Sequence, residues 1–131
     1  PELNLGLRRF IFPPTTPVQF DPDAWLETLD KLLGLSPARI FITHFGMHEG
    51  VEGLAKLLRQ AIRDYAAIAQ EFASSENRCK RISECILQDS INYLLDQRCG
   101  ADVATIRHLI SFDMELNAQG LDYWLTTQNV T

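Results

Sequence analysis

A chain of 131 residues, with 46% apolar and 22% charged side chains, has the size of one domain and an ordinary globular composition. That excludes disorder or collagen-like repetition as a description of the whole chain, and the length suffices to bury a core without metal or disulfide staples. The formal net charge of −5, from 12 basic and 17 acidic residues, lacks the electrostatic footprint of a protein that grips nucleic acid by its phosphates.

The acidity is spread along the chain, and no basic arm hides in the average. The run Arg78-Cys79-Lys80-Arg81 is short and flanked by Glu76 and Glu84, so it reads as a solvated helix face. Cys79, Cys85 and Cys99 form an odd set without a CxxC, which points to a reducing, cytoplasmic compartment rather than a disulfide framework. No stretch approaches the ~20 apolar residues of a membrane span. The sequence opens on Pro1-Glu2-Leu3-Asn4, which reads as the middle of a longer chain, so the lack of an N-terminal signal carries no weight.

In chain order, Arg9-Phe10-Ile11-Phe12 predicts a strand that stops at Pro13-Pro14, with Pro17 stiffening the loop that follows. Asp21 is an N-cap residue and Pro22 suits the first helical position. Trp25, Leu26, Leu29, Leu32 and Leu33 give that helix one apolar face, and Gly34 with Pro37 ends it. Arg39 to Thr43 is β-rich without helical period and predicts a buried strand ending at His44. Residues from His44 to Gly50 predict a loop.

From Val51 the period becomes helical. Val51, Leu54, Leu58, Ala61, Tyr65, Ile68 and Phe72 make one stripe. Ala55, Ile62, Ala66, Ala69 and Ala73 make a second beside it, small enough for close helix approach. Ser74 to Asn77 breaks the pattern. A third helix is predicted over about residues 78–98, with Ile82, Ile86, Tyr93 and Leu94 inward. Asp102 caps a fourth, with Val103, Ile106, Leu109, Ile110 and Met114 apolar. Gly120 is expected to weaken it, leaving Leu121, Trp124 and Leu125 in a last short turn. The expected fold is mostly α, three to four helices with a minor β part. One or two strands cannot make an independent sheet, so they need partners from elsewhere.

Few residues carry chemical promise. His44, at the end of a strand and opening into a glycine-containing loop, stands where α/β folds place functional side chains. His48 follows four residues later, but Gly46 intervenes and two histidines do not complete a zinc site. Glu49 fits better as an N-terminal dipole partner of the long helix. Asp113 and Asn117 continue the inward row of the fourth helix, either as a polar site or as a local pair fixing the helix end. Tyr65, Tyr93 and Trp124 read as core or interface aromatics. Neither GxSxG, nor GxxxxGK[ST], nor GxGxxG is present.

The stretch Phe12-Pro13-Pro14-Thr15-Thr16-Pro17-x-Gln19-Phe20-Asp21-Pro22, then Leu33 to Pro37, then Arg39-Ile40-Phe41-Ile42-Thr43-His44-Phe45-Gly46, resembles the C-terminal third of metallo-β-lactamase superfamily hydrolases. The tail Asp113-x-x-x-Asn117-Ala118-Gln119-Gly120-Leu121-x-Tyr123-Trp124-Leu125 is similar to the end of members with helical extensions. The resemblance implies the C-terminal portion of an αββα sandwich plus a helical extension. Residues 1–49 would be a remnant of the sandwich (strand, helix, strand, His loop), and residues 50–131 a helical C-terminal region. It implies that His44 is a metal ligand in the intact parent only. His48, Glu49, Asp113 and Asn117 would then be outer partners of a ligand, or structural. The other ligands, an HxHxDH motif and a bridging aspartate, lie upstream in that family and are not in this sequence. Zinc or another divalent metal, and a small-molecule substrate, would belong to the parent, where a metal-activated water attacks an ester, thioester, amide or phosphoester. This chain alone is expected to bind no cofactor and to be inactive. A rival reading is a non-catalytic helical interaction module, with a homodimer as its partner state and neither nucleic acid nor membrane as a target.

Overall fold

A computed structural model describes residues 2–4, 9–43 and 45–128. The element order is β1 (Glu2–Asn4), β2 (Arg9–Ile11), α1 (Pro22–Gly34), β3 (Arg39–Ile42), β4 (Gly46–Glu49), α2 (Val51–Glu71), α3 (Arg78–Asp96) and α4 (Val103–Gln128). The chain is mostly α with a minor β part, as its periodicity predicts. Strands β1 and β2 pair antiparallel, with Leu3 opposite Phe10, and β3 and β4 pair antiparallel in a second two-stranded sheet. No helix among the described residues is long and apolar enough to cross a membrane.

The helix ends follow their local chemistry. The Asp21 side chain accepts from the Ala24 N–H at 2.9 Å, and Pro22 opens α1. At the other end Ser36, at φ 48°, takes the left-handed turn before Pro37. Asp102 caps α4 by accepting from the Thr105 N–H at 2.8 Å. That bond holds the Asp102 carboxyl below its ordinary value of 3.8. A carboxyl with a lowered folded pKa stabilises above its unfolded pKa, and that stabilisation is lost as pH falls through the folded one. The stability advantage of wild type over Asp102→Ala should therefore be constant above pH about 5 and shrink on acidification. Urea melts of both proteins across that range check it.

One hydrophobic core joins the pieces. It takes Phe10, Phe12 and Phe20 from the first segment, Ile62, Tyr65 and Ala69 from α2, and the inner faces of α3 and α4. Ile82, Ile86, Ile106, Ile110, Met114, Ala118 and Leu121 are fully buried. Each of the Ile, Leu and Met side chains among them contributes on the order of 1.5–3 kcal/mol by leaving water. Both stripes of α2 are used internally. Val51, Leu54 and Ala55 are buried at its start, and Ile62, Tyr65 and Ala69 face the bundle further along.

Several expectations are corrected. The segment Arg39–Ile42 is a strand but not a buried one, with Phe41 77% exposed. Residues after His44 do not form a plain loop, because Gly46–Glu49 returns as β4. The Phe45 N–H donates to Ile42 O at 3.0 Å, and Gly46 at φ 77° supplies the left-handed residue from which β4 returns along β3. Glu49 lies in β4, directly before the Gly50 N-cap of α2, with its carboxylate 3.9 Å from the Arg39 guanidinium across the ladder. Tyr93 is 38% exposed, because it stands at the edge of α3 against Phe10, and Val103 and Leu109 also face outward. Arg78 is not on a solvated face. It pairs with Asp122 of α4 and also donates to the Asp122 main-chain oxygen at 3.3 Å, which ties α3 to α4. Gly120 does not weaken α4, which runs unbroken to Gln128.

Candidate functional site

The residues singled out by sequence fall in two places. His48 and Glu49 belong to the β3–β4 hairpin, and Asp113 and Asn117 to α4. His44 lies outside the described residues.

On the hairpin, Ile40 pairs with His48 and Phe41 with Met47. Arg39, Phe41, Met47 and Glu49 share one exposed face by the two-residue alternation of strands. Ile40 and Ile42 turn the other way, into an apolar groove of about 650 Å³. Trp25 and Leu29 of α1 and Leu54 of α2 form its other walls, and Thr43 and Phe45 also line it. His48 Nε2–H donates to the Phe45 carbonyl at 3.0 Å, a bond that folds the turn back on its own strand. A carbonyl only accepts, so that bond requires the proton on Nε2.

On α4, the decisive contact spans the chain. The Thr15 N–H donates to Asn117 Oδ1 at 2.9 Å, and Thr15 Oγ1 donates to the Asn117 main-chain oxygen at 2.9 Å. Both residues are buried. Gly120, one turn on, is what lets the irregular strap of residues 13–16 approach, because a β-carbon there would stand 1.5 Å from the Thr15 carbonyl oxygen. Asn117 thus acts through Thr15, not through a local pair with Asp113. Among the described residues, Asn117 Nδ2 is buried without a well-formed hydrogen bond, and the Tyr65 hydroxyl is a polar group beside it. Nearby, the Tyr65 hydroxyl donates to Met114 Sδ at 3.2 Å, and Ser90 Oγ donates to Ile86 O at 2.7 Å. Burial pushes the Tyr65 phenol well above its usual range, so it stays neutral as a donor.

Sequence reasoning missed Thr15 and misread Gly120. The available signal was the spacing of three between Asn117 and Gly120, which puts both on one helix face. The chemistry offered by these groups is limited. All three cysteines are free, and burial pushes the Cys79 and Cys85 thiols up, away from the reactive thiolate. Among the described residues, no three His, Cys, Asp or Glu side chains gather as a metal site would need.

No protein-family model, curated protein or solved structure matches the chain.

Proposed function

We propose that this chain is the C-terminal portion of a metal-dependent hydrolase of the metallo-β-lactamase type, with His44 as one metal ligand in the intact parent. The observation that carries the reading is the β3–β4 hairpin. Its strands pair with each other while leaving Phe41, Phe45 and Met47 exposed. Two strands are less than an independent sheet, so their exposed apolar side chains suit the edge of a larger one. The same hairpin presents Thr43 and Phe45, the neighbours of His44, beside an apolar groove that suits a substrate or a missing layer. In this reading the remaining ligands and the chemistry lie with the parent. Three free cysteines support a cytoplasmic setting.

The test is the coding DNA upstream of Pro1. An in-frame HxHxDH with a downstream aspartate is the expected result, together with metal-dependent hydrolysis by the whole protein that His44→Ala abolishes. A start codon directly before Pro1 would overturn it. Isothermal titration of the 131-residue chain is expected to show no submicromolar zinc site; one that His44→Ala removes would contradict the reading from the other side.

The second reading is a helical interaction module that pairs with its own copy. It draws on the apolar side chains left outside, notably Phe112 at 67% exposed beside Leu109 on α4. Light scattering that finds a monomer across micromolar concentrations would count against it.

A further inference from the structure

The side of α4 turned away from the core carries an apolar row of its own. Leu109, Phe112, Leu116 and Tyr123 follow one another at three, four and seven residues, which lines them along one stripe of the helix. The buried Ile110, Met114, Ala118 and Leu121 hold the opposite side. Phe112 is 67% exposed and Leu109 47%, Tyr123 is exposed as well, and Leu116 is half-buried. The row therefore adds little to the core, and its spacing is the one by which a helix packs along another helix. His108 and Glu115, both exposed, flank the row on one side.

The pattern is self-complementary about Phe112. Leu109 lies three residues before that ring and Leu116 four after it, while His108 lies four before and Glu115 three after. Turning the helix end for end about Phe112 exchanges Leu109 with Leu116 and His108 with Glu115, each to within one residue. The exposed Thr105 and Gln119, seven before and seven after, exchange in the same way. An antiparallel copy thus meets ring with ring, leucine with leucine and imidazole with carboxylate. A parallel copy would set Glu115 against its own like charge.

We propose that this face docks a second copy of the chain, its α4 antiparallel to the first across a two-fold axis near Phe112; this rests on the self-pairing reading above and gives it a surface. A two-fold contact uses the same patch on both copies and closes at two. One helix stripe offers less than the ~800 Å² per partner of a standard interface, so a dissociation constant on the order of 10 µM is expected.

The test is sedimentation equilibrium of the full chain from about 1 to 200 µM, a range that brackets that constant. Wild type should pass from monomer to dimer. Phe112→Glu should weaken association by about tenfold or more, because it places a charge at the centre of the contact. His108→Glu should weaken it by about fivefold, and adding Glu115→Lys should restore it, because the two positions meet only between copies. Phe41→Glu, on the exposed face of the β3–β4 hairpin, is the control and should leave association unchanged. All four positions are exposed, so the variants should keep their fold, which circular dichroism checks. A wild-type dimer that Phe112→Glu leaves intact would overturn the α4 surface while the self-pairing reading stands. A dimer weakened by His108→Glu but not restored by Glu115→Lys would overturn the antiparallel register. A monomer throughout the range would overturn both the surface and the self-pairing reading.

Discussion

Gly120→Ala should be among the most damaging single-methyl changes in this protein, lowering its stability by about 3 kcal/mol. On an exposed helix the same change would help, because alanine exceeds glycine by about 1 kcal/mol in helix propensity. Here the new methyl would stand 1.5 Å from Thr15 O, 2.6 Å from Thr15 C and 2.8 Å from Thr16 C. Those are backbone atoms, so no rotamer change relieves the collision. The strap must lift by more than an ångström, and both Thr15–Asn117 bonds break with it. Gly53 in α2 is the control, since a β-carbon there meets nothing within 4 Å. Gly53→Ala should stabilise by up to about 1 kcal/mol. Urea denaturation of the two variants should therefore give opposite signs. A Gly120→Ala protein as stable as wild type would mean that residues 13–16 do not rest on α4.

That pair of glycines shows where sequence reading ends. Both sit in helical patterns, and propensity treats them alike. What separates them is the segment at Thr15, far from Gly120 in sequence, which no local rule reaches. Local signals were legible. Asp21-Pro22 and Asp102 announced helix starts that the structure places within one residue, and the alternation of three and four announced α2. The hairpin was half legible. The β-rich run identified β3, but Gly46 was read as loop chemistry when its positive φ instead returns the chain as β4. The burial of β3 was misjudged for a related reason. An apolar run shows that a strand prefers to be covered, not that a cover is present in the same chain. Arg78 shows the same limit for charge, because a basic run looks solvated until a partner such as Asp122 arrives from another helix.

The candidate site was legible as residue types and not as an arrangement. Asn117 drew attention as a polar residue in an apolar row, and burial bears that out. Its partner could not be named from the sequence, because Thr15 lies in an irregular strap whose path is set by prolines and by the space above Gly120.

Asn117 therefore supplies the second test. Asn117→Ala removes the acceptor of the Thr15 N–H, leaves a cavity in a fully packed region, and relieves one amide nitrogen that lacks a well-formed hydrogen bond. The lost buried bond and the cavity outweigh that relief, and the net cost should be about 2 kcal/mol. Asn117→Asp is the sharper variant. It preserves shape and can keep Oδ1 as acceptor, but it buries a carboxyl at a position only 2% exposed. Such a group resists ionisation, so its folded pKa rises above the unfolded value of about 3.9. The folded state then holds a proton that the unfolded state releases, and stability falls as pH climbs from about 4 toward the folded pKa. The penalty of Asn117→Asp should accordingly be small near pH 4 and exceed that of Asn117→Ala at pH about 7. Denaturant melts at both pH values distinguish this from a merely peripheral asparagine. For that residue, Asn117→Asp and Asn117→Ala would cost little and their difference would not change with pH. If the steep pH dependence is found, the strap and α4 form one buried polar clasp, and the core that carries the hairpin is built around it.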